Sequence, residues 1–296
     1  MEREGLCRLC PRNCGVDRSR TLGRCDQPWL PRVAYAGPHH WEEPCISGTA
    51  GSGTVFFAGC GLGCVFCQNH AISRGGGGVA HTVEELADCF LRLQGQGVHN
   101  LNLVTASHFR PAVLAALGLA RQKGLALPVV WNTGGYESLD AVEQLANEAD
   151  IWLFDVKFYS PEVAGQLCGA PDYFARASAA AQRACALAGP PVLDGEGLLR
   201  RGVVLRLLVL PGYHKDAMDI VSWAAGALPP GGFLLSLMRQ YTPPAGVDLP
   251  KSLGRRLSSY EYKAVLNHAL ALGVNAGYTQ EKESATEDYV PPFILG

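Results

Sequence analysis

The chain lacks several features that would assign it to common classes of protein. It has no run of about 18 or more apolar residues, so no transmembrane helix is expected. Residues 1–5 lack the apolar segment of a secretory signal peptide, and we therefore expect a cytoplasmic protein without a membrane partner. Neither sign of charge dominates, because the net charge is −2 over 296 residues. Composition thus favours no nucleic-acid partner.

Cysteine, in contrast, is abundant, with eleven in the chain. In a chain without a secretion signal, so many cysteines indicate metal or cluster ligation rather than disulfide bonds. Cys60, Cys64 and Cys67 have C-x3-C-x2-C spacing directly after the apolar residues 54–58. An iron–sulfur cubane normally takes four thiolates, so three thiolates leave one iron open to another ligand. The spacing alone also fits a zinc knuckle or buried free thiols.

Residues 1–52 form a segment rich in Cys, Pro, Gly and Arg with little periodicity. Cys7, Cys10, Cys14 and Cys25 are a second compact set, and four thiols in so short a span suit a closed metal site. Zinc and an auxiliary iron–sulfur cluster fit this ligand count equally. Cys45, before the regular pattern begins, is either a thiol that faces the site or a packed one.

From residue 53 a strand-then-helix pattern repeats. The apolar strands are predicted at residues 54–58, 101–105, 128–131, 151–154, 203–210 and 233–238. Thr82 and Ser258 are predicted helix N-caps, since each has Glu three residues later. Parallel βαβ units wind right-handed. Six of them predict an α/β fold with an open, partial (β/α)6 barrel at 53–278, flanked by the extension 1–52 and a tail at 279–296.

Every predicted strand ends in polar residues, and chemistry in such barrels lies at the carboxyl ends of the strands. The candidates at these ends are Thr105, Ser107, His108, Asn132, Asp155, Lys157, Arg206 and Gln240. Asp155 and Lys157 alternate on one strand and therefore point the same way. They either bind a ligand or form an ion pair at the strand end.

The cysteine triplet resembles the cluster loop of radical S-adenosylmethionine (SAM) enzymes, because Phe66 fills the aromatic position of C-x3-C-x-aromatic-C. From about residue 6 to residue 280 the chain is similar to the PflX-type subgroup of pyruvate formate-lyase activating enzyme relatives. The matching motifs lie at residues 7–14, 42–48, 64–69, 132–137, 155–157, 208–212 and 238–241.

This resemblance implies that Cys60, Cys64 and Cys67 hold a [4Fe–4S] cluster whose open iron binds SAM. Reductive cleavage of SAM would yield a 5′-deoxyadenosyl radical that abstracts hydrogen, either to activate a glycyl radical enzyme or to modify a protein or peptide. An electron donor such as flavodoxin or ferredoxin is implied as a partner.

The resemblance also assigns expected roles to individual residues. Many members bind SAM with Gly-Gly-Glu after the second strand, and this chain offers the hydroxyls of Thr105 and Ser107 instead. The remaining expected cofactor contacts are Phe66, Asn69, Asn132, Asp155, Lys157, Arg206 and Gln240. Arg206 is expected either to pair with the SAM carboxylate or to be a buried structural cation. His108 and Cys45 are the catalytic candidates.

A second function of a different class also fits the sequence. The extra cysteine set and the missing Gly-Gly-Glu are compatible with a non-catalytic iron–sulfur or zinc protein that uses the barrel as a redox or assembly module. Such a module would bind metal but be indifferent to SAM.

Overall fold

The computed structural model describes residues 6–74, 76–281, 284 and 290–295. The strands are β1 (Arg32–His39), β2 (Ser52–Phe57), β3 (Val79–Ala80), β4 (Leu101–Val104), β5 (Val129–Thr133), β6 (Ile151–Asp155), β7 (Val192–Leu193), β8 (Leu199–Leu208), β9 (Leu234–Met238) and β10 (Gly277–Thr279). The helices are α1 (Pro44–Ser47), α2 (His70–Ser73), α3 (Val83–Gly95), α4 (Arg110–Gln122), α5 (Leu139–Gln144), α6 (Pro161–Cys168), α7 (Tyr173–Ala188), α8 (His214–Ala227) and α9 (Ser259–Ala271). None of these helices combines the length and apolar character needed to cross a bilayer.

One curved sheet organises the molecule. Its order is β10-β9-β8-β6-β5-β4-β2-β1-β3, and neighbours from β2 to β10 along this path are parallel. The pairings of the described residues do not join β10 to β3, so the sheet stays open. The predicted α/β fold with an open parallel barrel is confirmed. The short strand β10, which carries no long apolar run, was not predicted.

The central parallel strands are buried on both faces, which explains their continuous apolar sequences. All residues of β2, β5 and β6 are buried. The predicted capping boxes are present at Thr82 and Ser258, where each hydroxyl accepts a hydrogen bond from the backbone N–H of the Glu three residues later. Each such cap stabilises its helix by about 1 kcal/mol.

Part of the predicted extension belongs to the main sheet. Strand β1 pairs antiparallel with β2, and the irregular segment therefore ends before Arg32. Helix α1 then enters the concave side of the sheet, where Cys45 and Ile46 pack against Val130 and Leu153. Alternate strand residues such as Trp131 face the outer helices instead. The extension thus fills the lower part of the barrel.

The irregular segment packs on the loop that follows β2. Arg12 donates to the carbonyls of Gly61 (2.7 Å) and Cys168 (2.8 Å). Gly59 has φ of 82°, and a Cβ there would lie 2.4 Å from the carbonyl oxygen of Cys25. The close approach of the two segments therefore requires glycine at this position.

The predicted tail at 279–296 lies partly outside the described residues. Its described end runs beside β1, because the N–H of Ile294 donates to the carbonyl of Ala34 at 2.9 Å. Phe293 packs edge-on against Phe56, with ring centroids 5.4 Å apart. The described end of the tail therefore covers part of the open side of the barrel.

Candidate functional site

One cavity at the carboxyl ends of the parallel strands contains most of the predicted site. It brings together most of the residues that the sequence predicted to form a site: Cys60, Cys64, Phe66, Cys67, Asn69, Thr105, Asn132, Asp155, Lys157, Arg206 and Gln240. These residues come from five strand ends and from the loop after β2. Ser107, His108 and Cys45 do not line this cavity.

The three loop cysteines face the cavity from one side. Burial raises the pKa of Cys60 above its ordinary value and that of Cys67 to about 12. A hydrogen bond with Cys168, followed by burial, raises the pKa of Cys64. Because a metal or cluster needs thiolates, its binding here must release protons.

The donor set fits an iron–sulfur cluster better than a single ion. Within the described part of the chain, no three Cys, His, Asp or Glu side chains are grouped to hold one metal ion. The three loop thiols nevertheless line one cavity, as thiolates around a larger group would. The backbone N–H of Leu62 donates to the sulfur of Cys60 at 3.4 Å, a bond that strengthens when sulfur is ionised.

Opposite the cysteines, β6 and its end present an ion pair. The Nζ of Lys157 lies 2.5 Å from Oδ2 of Asp155, and the Nε of Arg206 lies 2.7 Å from Oδ1. Burial by itself raises the pKa of Asp155, but Arg206 and Lys157 outweigh it and hold this pKa below its ordinary value. The carboxylate is therefore ionised at neutral pH.

Arg206 is held from three sides. Besides Asp155, its guanidinium donates to Oε2 of Glu42 at 3.0 Å and to Oδ1 of Asn132 at 2.6 Å. Its side chain is 12% exposed, against 23% for Lys157. Of the two alternatives for Arg206, the structure favours the buried structural cation, and Lys157 is the cation more open to a ligand.

Glu42 also lines the cavity, and the sequence reasoning did not assign it to the site. Its Oε1 accepts hydrogen bonds from the amides of Asn102 (3.0 Å) and Asn132 (3.1 Å). The sequence signal that could have identified Glu42 is the pair Glu42-Glu43 directly before Pro44, which begins α1. Two acidic residues ahead of a buried helix need polar or charged partners.

Thr105, at the end of β4, has φ of 58°. A β-branched residue seldom adopts this left-handed conformation, and strained backbone of this kind clusters at functional sites. Its N–H donates to the carbonyl of Asn132 at 2.9 Å, which fixes the two strand ends side by side.

Ser107 has a different partner from the one predicted. Its hydroxyl donates to the carboxylate of Glu137, which also accepts from Thr133 (2.7 Å) and the indole of Trp131 (3.3 Å). Ser107 lines a smaller recess beside Cys60 and not the main cavity. Glu137 thus orders the strand ends, and the predicted cofactor contact of Ser107 is not supported.

Neither catalytic candidate lines the main cavity, although His108, like Ser107, lines the smaller recess beside Cys60. His108 is 3% exposed, its Nε2 lies 2.8 Å from the carbonyl oxygen of Ala58, and burial lowers its pKa to about 3. Cys45 packs beneath the cavity, and burial raises its pKa to about 11. A histidine that stays neutral and a thiol that stays protonated near pH 7 fit packing roles.

Replacing His108 by glutamine should flatten the acid side of the stability profile. Since the folded pKa is about 3 and the ordinary value 6.5, the unfolded state binds an extra proton between these pH values. The free energy of unfolding therefore decreases as the pH is lowered from 6.5 towards 3, by up to ~1.4 kcal/mol per pH unit for one histidine. His108→Gln keeps a donor for Ala58 without titrating. Denaturant unfolding at pH 5 and pH 6 should show a smaller change in the free energy of unfolding for His108→Gln than for wild type. An equal change in both proteins would contradict the lowered pKa of His108.

The four N-terminal cysteines lie in one region of the extension. The backbone N–H of Arg24 donates to the sulfur of Cys14 at 3.3 Å. Burial raises the pKa of Cys10 and of Cys25, and it outweighs the backbone at Arg12 and at Gln27, which acts to lower them. Cys10 also lines the recess that contains Cys60. The extension therefore holds its thiols next to the cluster loop.

Comparison with known proteins agrees with this site. A family model described as the radical SAM superfamily matches residues 54–224, more than half of the chain. An uncharacterized protein of Methanocaldococcus jannaschii is 24% identical over 277 residues, which cover 89% of this chain and 74% of that protein.

Two solved structures extend the comparison. Streptococcus suis SuiB bound to S-adenosylmethionine has a TM-score of 0.51 and 12% identity, covering 75% of this chain. The match spans 48% of SuiB, about half its length. A domain of pyruvate-formate lyase-activating enzyme from Bacteroides vulgatus has a TM-score of 0.39 and 13% identity, covering 57% of this chain and 89% of that domain. With three thiols on the loop after β2, an open parallel barrel and a family model that matches most of it, the chain belongs to the radical SAM superfamily.

Proposed function

We propose that this protein cleaves SAM reductively at a [4Fe–4S] cluster held by Cys60, Cys64 and Cys67, and uses the resulting radical to abstract hydrogen from a protein or peptide. The observation that carries this proposal is the arrangement of three loop thiols across one cavity from Asp155 and Lys157. Membership of the superfamily implies the cluster and SAM.

The chain's own residues would bind and orient the cofactor. When bound, the cluster supplies the electron that splits SAM into methionine and a 5′-deoxyadenosyl group. Lys157, the more accessible cation, would pair with the SAM carboxylate, and Asp155 and Asn132 would accept or donate at the ribose and the amino group. Phe66, packed edge-on against Phe158 at 5.9 Å, would shield the cluster from water.

A macromolecular substrate is supported by the shape of the barrel. Because α1 and Glu42 fill its interior, a substrate must approach from the mouth at the strand ends. Trp41, 52% exposed, stands at this mouth. SuiB has also been solved with its precursor peptide SuiA. We propose activation of a glycyl radical enzyme or modification of a peptide, with a flavodoxin or ferredoxin as electron donor.

An anaerobic assay tests the proposal. The protein is reconstituted with iron and sulfide, reduced with dithionite, mixed with SAM and assayed for 5′-deoxyadenosine. Product that requires both reductant and SAM would support it. Absence of product, together with an EPR spectrum of the reduced cluster that SAM does not change, would refute it and favour the alternative, a non-catalytic redox or assembly module.

We further propose that Cys7, Cys10, Cys14 and Cys25, which the described structure does not group closely enough for one ion, come together on binding a second metal centre, zinc or an iron–sulfur cluster. The backbone N–H of Arg24 donates to the sulfur of Cys14, and such a bond stabilises a thiolate. Burial raises the pKa of Cys25 above its ordinary value and that of Cys10 to about 12, so metal binding here would release protons. A metal would also supply folding energy to a segment with few regular hydrogen bonds.

Replacing Cys10 and Cys14 together by serine should remove that metal alone. Metal analysis of the reconstituted wild type is expected to give about four irons for the loop cluster, plus about one zinc or about four further irons for the second centre. The double variant should keep the irons of the loop cluster, lose the metal of the second centre and have a lower Tm than wild type. Cys185→Ser, in a buried helix position, is the control. Equal metal content in wild type and double variant would contradict a second centre.

A further inference from the structure

We propose that Glu42 is a positioning residue of the SAM site: it holds Asn132 and Arg206 in the orientation that binds the cofactor. This inference rests on the proposed function and adds to it a residue that lies outside the segment matched by the family model, residues 54–224. Glu42 lies just ahead of α1, within the part of the extension that enters the barrel.

The hydrogen bonds of Glu42 fix the amide of Asn132. Because the Nδ2 of Asn132 donates to Oε1 of Glu42 at 3.1 Å, the Oδ1 must point the other way, where it accepts from Arg206 at 2.6 Å. Without the carboxylate, the amide could rotate and exchange its donor and acceptor. Asn132 lines the cavity, so its orientation decides which group it offers to a ligand.

Glu42 also determines how Arg206 is used. With Nη1 on Glu42 at 3.0 Å and Nη2 on Asn132, the guanidinium meets Asp155 through Nε alone, at 2.7 Å. One oxygen of Asp155 therefore remains for Lys157 and for a ligand. If Glu42 were absent, Arg206 would be free to form a two-pronged bond with Asp155 and occupy both oxygens.

Charge balance gives a second reason for the carboxylate. Glu42, Glu43 and Asp155 all act on the charge of Arg206, but of these three only Glu42 and Asp155 form ion pairs with it, and Asp155 also pairs with Lys157. The neighbouring Glu43 does not line the cavity, and one of its oxygens has no hydrogen-bond partner. A buried carboxylate is costly to desolvate, and such groups are retained where they impose a specific arrangement.

The experiment measures SAM affinity separately from cluster content. Wild type, Glu42→Gln and the control Glu261→Gln are reconstituted, their iron is counted, and SAM binding is titrated by its effect on the EPR spectrum of the reduced cluster. Glu261 is a buried carboxylate paired with Arg255 at 2.8 Å that does not line the cavity. Glu42→Gln is expected to weaken SAM binding roughly tenfold or more with unchanged iron, and Glu261→Gln to leave it unchanged.

A double-mutant cycle tests whether Glu42 acts through its neighbour. In an Asn132→Ala background the same glutamine substitution should cost less SAM affinity, because one of the two groups that Glu42 holds is gone. Additive losses would overturn the part of the role that acts through Asn132, and affinity of Glu42→Gln equal to that of wild type would overturn the role altogether. If Glu42→Gln fails to take up iron, Glu42→Asp, which keeps the charge but shortens the reach, is judged by the same criteria.

A failure of the role proposed for Glu42 can be distinguished from a failure of the proposed function. Wild-type protein that neither binds nor cleaves SAM would refute the function itself. Wild-type protein that cleaves SAM, together with a fully active Glu42→Gln variant, would refute only the role of Glu42.

Discussion

Cys64→Ala is expected to abolish formation of 5′-deoxyadenosine. Cys64 is the central cysteine of the loop triplet, and its removal leaves two thiolates where a site-open cubane needs three. The nearby thiol of Cys168, which hydrogen-bonds Cys64, is located on α6 rather than on the loop. We expect the variant to lose the loop cluster, measured as a fall of about four irons per chain, together with all product.

The matched control is Cys89→Ala, a buried cysteine on α3 that does not line the cavity. It should keep its iron and its SAM cleavage, at a modest loss of stability from the removed sulfur. Because Cys168 lies beside Cys64 and could replace it as a ligand, the double variant with Cys168→Ala is measured as well. Full iron content and product in that double variant would contradict the assignment.

Asp155→Asn is expected to lower both the stability of the protein and its affinity for SAM. The amide cannot balance Lys157 and Arg206, so two partly buried cations would face each other across a neutral group. Breaking one partner of a buried ion pair costs about 3–5 kcal/mol of stability. SAM affinity should fall roughly 100-fold, since an uncompensated charge and a lost acceptor act together at the cavity wall.

Denaturant unfolding gives the stability change, and titration of the reduced cluster with SAM gives the affinity. Asp172→Asn is the control, because Asp172 is 43% exposed and its ion pair with Arg176 is worth at most about 1 kcal/mol. Unaltered SAM binding in Asp155→Asn would show that the pair with Lys157 is only structural, the alternative that the sequence left open.

The parallel strands and the cluster loop were predictable from local sequence. Continuous apolar runs mark strands buried on both faces, and C-x3-C-x2-C after the first of them needs no tertiary information. The rule that chemistry lies at the carboxyl ends of strands correctly gathered Asn132, Asp155 and Lys157 around one cavity.

That rule does not predict the side-chain orientation of residues that lie beyond the end of a strand. Ser107 and His108 lie in a short 3-10 turn after β4, where the alternation of a strand no longer applies. One turned toward Glu137 and the other toward Ala58. Their orientation depends on packing partners distant in the chain.

The α/β architecture, the cysteine triplet and the set of polar strand ends can be read from the amino-acid sequence, because each depends on neighbours within a few residues. The folded structure was needed to show that the extension enters the barrel and that Glu42 lies against Arg206, 164 residues away. It also decided which of the two cations that line the cavity is the more exposed. A buried charge acquires its role from its partners, and those partners meet only when the chain has folded.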